Sequence, residues 1–193
     1  MKSLVTTGAG DHGATHCIGG DKISKNHPIV ACSGWLDTVR AETARFRLDL
    51  IEAGPERYED IAEVLFWVLH CLFVIGTECS DPARQHPEYR HTELGPDHLA
   101  RLEAEQARLE AMIELPRAFI VSATSRLSAE LDVLVTQTRH FERHLVQLKE
   151  AIPEFHSEHL LPFANRLGDF FYVLARYLED KEHEPVDYTI LDE

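Results

Sequence analysis

Six residues near the N-terminus have the types and order of an anion cradle. Thr7, Gly10, Asp11, Gly13 and Thr15 form T-x-x-G-D-x-G-x-T, and Lys25 follows. Glycines let backbone N–H groups curl around an anion. Thr hydroxyls add donors, and an Asp can orient them or hold a metal. Lys22 and Lys25 supply counter-charge for phosphate. The P-loop pattern G-x-x-x-x-G-K-[ST] is absent, so a phosphate site here would need a different frame. On composition alone, the same stretch also reads as a flexible Gly-rich segment.

Two further groups lie in helical sequence. Val135, Arg139, Glu142 and Val146 recur at steps of four, three and four, which places them on one face with Arg143 one turn on. An Arg at a core edge can grip phosphate with two parallel hydrogen bonds, whereas a solvated Arg139–Glu142 pair is the bland alternative. Asn165, Arg166 and Asp169 form the second group, with Arg176 continuing their face. An Asn there can donate to a base or a phosphate. A merely polar helix face is the alternative.

The twelve histidines leave metal binding open. His140 and His144 stand at i,i+4, His12 and His16 bracket the glycine loop, and His156 and His159 flank a helix start. No third ligand stands at motif spacing, and HExxH is absent. His70 and Glu63, seven apart on one apolar helix, are expected to be buried and to satisfy each other or a partner chain.

Helices must carry these groups. The first 35 residues read as a loop punctuated by Gly8, Gly10, Gly13, Gly19 and Gly20. Helices are predicted over Leu36–Ala53, Tyr58–Thr77, Pro96 to Pro116, Arg126–Ala151 and Leu161–Asp180, followed by an acidic, loosely held tail over residues 181–193. The fourth has a seam of Leu127, Leu131, Leu134, Thr138, Phe141, Leu145 and Leu148. A short apolar piece, Phe119–Val121, is the only strand-like run. The pattern predicts one all-α domain over residues 1–193, an antiparallel five-helix bundle with a glycine-rich N-terminal loop.

The chain has 193 residues and a net charge of −14, which disfavours nucleic acid or an anionic membrane as partner. The most apolar stretch, Ile61–Gly76, is short for a bilayer span and reads as a core helix. No targeting segment is evident, and four cysteines without a CxxC pair exclude a disulfide scaffold and argue against structural zinc. A cytoplasmic protein is expected.

The motifs in order are more specific than any one of them. T-x-x-G-D-x-G-x-T leads to Gly19-Gly20-Asp21-Lys22-Ile23-Ser24-Lys25, then Gly34-x-x-Asp37. Phe119-Ile120-Val121, Arg139-x-x-Glu142-Arg143 and Asn165-Arg166-Leu167-Gly168-Asp169 follow. This series resembles the PduO-type ATP:cob(I)alamin adenosyltransferases from about Thr7 to Tyr177. The resemblance implies a trimer with ATP held between subunits, magnesium assistance, and a corrinoid (cobalamin) bound beside ATP as four-coordinate cob(II)alamin. Reduction to cob(I), with a possible reductase partner, then allows cobalt to attack the 5′ carbon of ATP.

Carried over by motif, Thr7, Gly10, Asp11, Gly13, Thr15 and Lys25 would bind the phosphates. Arg139, Glu142 and Asn165 would line the ATP site. Phe119 would displace the lower axial ligand of the corrinoid. Asp37 would open the first long helix and pair with an arginine of the fourth. That arginine's position is Val135 here, the second arginine of the family run is His140, and Ser122-Ala123-Thr124 stands near the family's Leu-Pro-Gly-Gly. Losing a cation beside a triphosphate leaves two readings open: a divergent adenosyltransferase, or a non-catalytic relative that carries or senses a nucleotide, corrinoid or other tetrapyrrole. Lys22, Lys25, Arg139, Arg143 and Arg166 are expected to gather near one cleft.

Overall fold

The structure, a computed structural model, describes residues 6, 8–179 and 182–192. Thr7 therefore lies outside the described residues. Five helices make the architecture: α1 (Pro28–Ala53), α2 (Glu59–Ser80), α3 (Pro96–Glu110), α4 (Arg126–Ala151) and α5 (Leu160–Leu178). Two small antiparallel ribbons accompany them. β1 (Ala14–His16) pairs with β2 (Lys22–Ser24), and β3 (Ile120–Val121) pairs with β4 (Glu184–Pro185).

Helix α4 packs on both α1 and α5, while α2 covers α1 and α3 covers α5. Cross-helix contacts fix the directions. Trp35 meets His140 and Arg45 meets Glu130, so α1 and α4 run antiparallel. Glu142 meets Asn165 and Asp132 meets Arg176, so α4 and α5 do too. The predicted α4 seam is the core: Leu131, Leu134, Phe141, Leu145 and Leu148 are almost completely enclosed. Thr138 interrupts the seam without cost, because its hydroxyl donates to Leu134 O at 2.8 Å.

Four expectations about extents need correction. Helix α1 starts at Pro28, not near Leu36. Pro28 fits the first helical turn, His27 Nδ1 accepts from Ile29 N at 3.2 Å, and Cys32 extends the seam of Leu36, Val39, Phe46 and Leu50. Gly34 is thus inside the helix, with open space on its outer side, and Asp37 stands in the third turn. Helix α3 stops at Glu110 rather than running to Pro116, because bonds from Met112 N to Leu109 O and Ile113 N to Glu110 O tighten the chain there. The N-terminal loop contains the β1–β2 ribbon, whose three-residue strands are too short to show a period in sequence. The tail is not loose where it is described, since Glu184–Pro185 pairs with β3.

Helix α2, 22 residues long, is apolar enough in composition to cross a bilayer, with mean hydropathy 1.7 over an 18-residue stretch. Here Leu65, Val68, Leu72 and Ile75 face the bundle core. His70 is exposed rather than buried. Its Nδ1 lies 2.8 Å from Phe66 O, and its ring meets Phe66 edge-on. Phe66 and Phe73, 52% and 65% exposed, form an outer apolar face.

At the C-terminal end of α2, Glu78 is buried. Its Oε1 accepts from Leu94 N at 3.2 Å, and Arg84 stands 3.9 Å away. Burial pushes the Glu78 carboxyl above its ordinary 4.5, with the Leu94 amide and Arg84 pulling it back. A raised folded value means that the stabilising contribution is complete below the unfolded value and is lost as pH rises through the folded one. Glu78→Gln keeps the acceptor for Leu94 N without the charge. We expect it to match or exceed the parent in thermal midpoint at pH 7, with the advantage shrinking as pH falls towards 4.5. A variant equally destabilised at pH 7 and pH 5 would contradict the burial argument.

Candidate functional site

The glycine loop is a built turn. Gly8 and Gly13 have φ of +71° and +75°, a region that suits glycine. Asp11 N donates to Gly8 O and Gly13 N to Gly10 O, each at 3.3 Å. Lys25 N donates to Gly13 O at 2.9 Å and closes the loop onto the end of β2. A Cβ on Gly10 would lie 2.9 Å from Lys25 Nζ, so the missing side chain makes room for the ammonium. The structure thus brings Gly10, Gly13 and Lys25 together, beside Asp11 and with Thr15 on β1.

The β1–β2 ribbon rests on the bundle. Cys17 N donates to Asp21 O, and Gly20 N to Cys17 O, so its tip is a tight turn. Gly19 at that tip lies against the His86 ring, where any side chain would collide. His86 is held in turn: its backbone N–H and that of Gln85 donate to the buried Asp81 carboxylate, at 2.9 and 2.8 Å. Arg90 reaches the same carboxylate at 3.3 Å. A cavity of about 230 Å³ lies between the ribbon and the bundle, lined by Ile18, His27, Ile29, Asp81 and His86 among others.

The α4–α5 groove holds a second group. Asn165 Nδ2 donates to Glu142 Oε1 at 3.1 Å. Glu142 therefore pairs with α5, and not with Arg139 as the bland reading has it. Arg139 is exposed and has no hydrogen bond or ion pair among the described residues. The third group lies between α1 and α4. His140 stacks on Trp35 with centroids 4.5 Å apart and planes 12° apart. Its Nδ1 is 2.7 Å from Arg143 Nη2, and His144 Nδ1 is 2.8 Å from His140 O. Both histidines spend one ring nitrogen near their own helix. Among the described residues no three His, Cys, Asp or Glu side chains converge on a metal-sized point.

Asp37, whose expected α4 arginine is replaced by Val135, is paired instead with Arg40 on its own helix at 2.7 Å. Val135 is 6% exposed and belongs to the core. Of the five cations, Arg166 is already held by Glu103 at 3.1 Å and Asp169 at 2.8 Å.

Phe119 stands apart from these groups and is 83% exposed. Its carbonyl accepts from Val186 N at 3.0 Å, just beyond the β3–β4 pairs. Sequence reasoning missed what holds this segment. Arg176, read there as part of a polar face, is 2% exposed and grips Asp132 at 3.1 Å and Glu179 at 2.9 Å. The signal available was an Arg at a seam-adjacent position followed by Glu at i+3.

A helical bundle with a glycine turn closed by Lys25 and an exposed Arg139 near an Asn–Glu pair suits several classes of protein, nucleotide binders among them. Comparison with known proteins narrows these. The sequence profile described as cobalamin adenosyltransferase matches residues 5–178, and the chain belongs to that family. A cobalamin adenosyltransferase of Cupriavidus metallidurans is 30% identical, covering 91% of this chain and 88% of its own. The corrinoid adenosyltransferase PduO of Salmonella typhimurium is 29% identical over 93% of this chain, which spans only 51% of that relative's length. A variant PduO-type ATP:corrinoid adenosyltransferase from Lactobacillus reuteri, complexed with cobalamin and ATP, superposes with a TM-score of 0.79. It shares 27% identity, covering 93% of this chain and 97% of that one.

The contact at the ribbon tip makes a prediction. Gly19→Ala should lower the urea midpoint, because its methyl must displace the His86 ring. Adding His86→Ala should recover about 1 kcal/mol relative to the sum of the single changes, a coupling typical of touching residues. Strictly additive effects in that double-mutant cycle would remove the contact from the account.

Proposed function

We propose that the chain transfers the 5′-deoxyadenosyl group of ATP to a reduced corrinoid. Cob(I) donates its electron pair to the 5′ carbon, a cobalt–carbon bond forms, and the C5′–O bond breaks with its electrons leaving on triphosphate. The observation that carries this reading is the glycine turn closed by Lys25, within a chain whose solved relative holds both cobalamin and ATP. Cobalt is the nucleophile, so the protein's work is alignment and stabilisation of the leaving group.

In this reading the backbone of the Gly10–Gly13 turn, with Thr7, Thr15 and Lys25, receives the triphosphate. Arg139, uncommitted on its exposed face, supplies a cation, while Glu142 and Asn165 orient each other and the nucleoside. Asp11 offers the hard carboxylate oxygen that Mg2+ prefers and would hold it together with phosphate. Magnesium there would add charge neutralisation on the phosphates. Phe119 faces the corrinoid, and Asp37 keeps its role at the edge of the site only if its hold on Arg40 relaxes.

We further propose a homotrimer with sites between subunits. The candidate residues fall into separate groups within one chain. The face of Phe66, Phe73 and Leu48, with Arg47 over one phenyl ring at 5.0 Å and Arg40 over the other at 5.6 Å, suits burial by a second copy. One unit over residues 1–193 is proposed, comprising the loop and ribbon to His27, the five helices, and the tail. Four free cysteines, including Cys32, whose thiol donates a hydrogen bond to Cys79 Sγ at 3.8 Å, support a reducing, cytoplasmic setting. A reductase would supply the electron that makes cob(I).

The non-catalytic alternative rests on Val135, which puts a core valine where the resemblance places an arginine. Anaerobic incubation with ATP, magnesium and reduced cobalamin decides between the two, read by absorbance of the cobalt–carbon product. The enzyme reading expects product, and at least tenfold slower turnover in Arg139→Ala and Asn165→Ala. Tight ATP and corrinoid binding without product from any corrinoid would replace it with the carrier or sensor. Val135→Arg should raise kcat about tenfold, corresponding to about 1.4 kcal/mol of recovered transition-state stabilisation. An unchanged rate in a folded variant would show that the missing cation does not limit the reaction.

A further inference from the structure

Glu179 is nearly inaccessible and receives donors from three separate pieces of chain. Arg176 on α5 donates through Nη2 to Oε1 at 2.9 Å. Thr124 N, just after β3, donates to the same oxygen at 3.4 Å. His183 Nδ1, just before β4, lies 2.9 Å from Oε2. One carboxylate thus ties the end of α5 to both strands of the β3–β4 ribbon. Arg176 is fixed independently by Asp132 and by stacking on Tyr172 at 5.0 Å, so the anchor is rigid on the helix side.

That ribbon carries Phe119. Its register pairs Ile120 with Pro185 and Val121 with Glu184, and Val186 N holds Phe119 O. The Phe119 ring is 83% exposed, so side-chain packing does little to set its place. The ring's position comes from its backbone, and the backbone is held at one end by the tail and at the other by Thr124. Between them Ala123 has φ of +63°, a left-handed conformation costing about 1 kcal/mol for a residue other than glycine. An anchor that keeps this turn closed offsets that cost.

We propose that Glu179 and His183 are positioning residues for the corrinoid-facing Phe119, with the C-terminal tail acting as the second strand that presents it. The proposal rests on the corrinoid reading above. A role confined to closing the end of α5 would leave Phe119 unaffected by changes in His183.

The test uses the full chain. In His183→Ala the Glu179–Arg176 pair remains, so the bundle should fold with ATP affinity within twofold of the parent. Hydrogen exchange of the Val186 amide should accelerate at least tenfold. Turnover should fall at least tenfold, together with the four-coordinate fraction of bound cob(II)alamin read by its spectrum. The double variant His183→Ala/Phe119→Ala should be no slower than Phe119→Ala alone, because both changes remove one function. His183→Gln, which keeps a donor towards Glu179, should restore the parent values. Should His183→Ala fail to fold, Glu179→Gln in the same assays takes its place. Unchanged Val186 exchange overturns the anchoring. Accelerated exchange with unchanged turnover and spectrum, or multiplicative losses in the double variant, overturns the link to Phe119. A parent that makes no product and binds no corrinoid overturns the corrinoid reading and this link with it, while the exchange measurement still decides the anchoring.

Discussion

Helix α4 between α1 and α5 is the constraint from which the other placements follow. Its seam from Leu131 through Thr138 to Leu148 is fixed by burial, and that fixes the rotation of the helix about its axis. Every polar side chain on α4 then has its direction assigned. Asp132 and Glu142 point to α5, where Arg176 and Asn165 meet them. Glu130 and His140 point to α1, where Arg45 and Trp35 meet them. A slip of one residue would turn the helix by about 100° and break all four meetings at once. Packing in the core therefore sets the geometry of a polar surface it never touches.

This is also why the fold was legible in the sequence and the site only in part. Seams at steps of three and four mark α2, α4 and α5 closely, because burial needs that spacing whatever the helix is for. The start of α1 was misread since its cap is His27, a residue type rarely associated with capping, and since Gly34 looks like a stop when it merely faces open space. The two ribbons have strands of three and two residues, below any length at which alternation can be told from chance. The glycine loop was readable because positive φ has a residue signature. The Arg176 network was not, because its members come from positions 132, 176, 179 and 183 and are joined only by the antiparallel return of α5 along α4.

Charge behaves in the same way. The net figure of −14 describes the surface as a whole, and it does not forbid a triphosphate. What matters is which cations are already committed. Arg166, Arg45 and Arg108 each hold two or more carboxylates, and Arg40 holds Asp37. Arg139 and Lys25 hold none among the described residues, so they can meet an incoming anion without first breaking a pair seen there. Val135 packs in the core and His140 stacks on Trp35, at two positions where the resemblance implies arginines. On the function proposed above, charge is reduced along the α1–α4 seam, while Arg139 and Lys25 remain on the phosphate side. A divergence that preserves the phosphate side and alters its edge fits a change in rate or corrinoid preference better than loss of nucleotide binding.

Three local costs meet at one end of α5. Phe119 exposes an aromatic ring, Ala123 adopts a left-handed turn, and His183 Nε2 is buried with no hydrogen-bond partner among the described residues. Each is unfavourable by itself, and an unpartnered buried polar atom costs about 1–3 kcal/mol. A chain selected only for stability would remove them with glycine at 123 and a polar side chain at 119. Other groups are satisfied locally, Thr43 and Thr138 within their helices and Asp81 by loop amides and Arg90, although Gln106 Oε1 and Gln137 Oε1 are also buried with no hydrogen bond among the described residues and Arg84 has φ of +55°. Three such costs on one short ribbon fit a functional surface. On the proposal above, the buried Arg176–Glu179 pair has the rigidity to hold those costs in place, so that enclosed charges serve the exposed ring of Phe119.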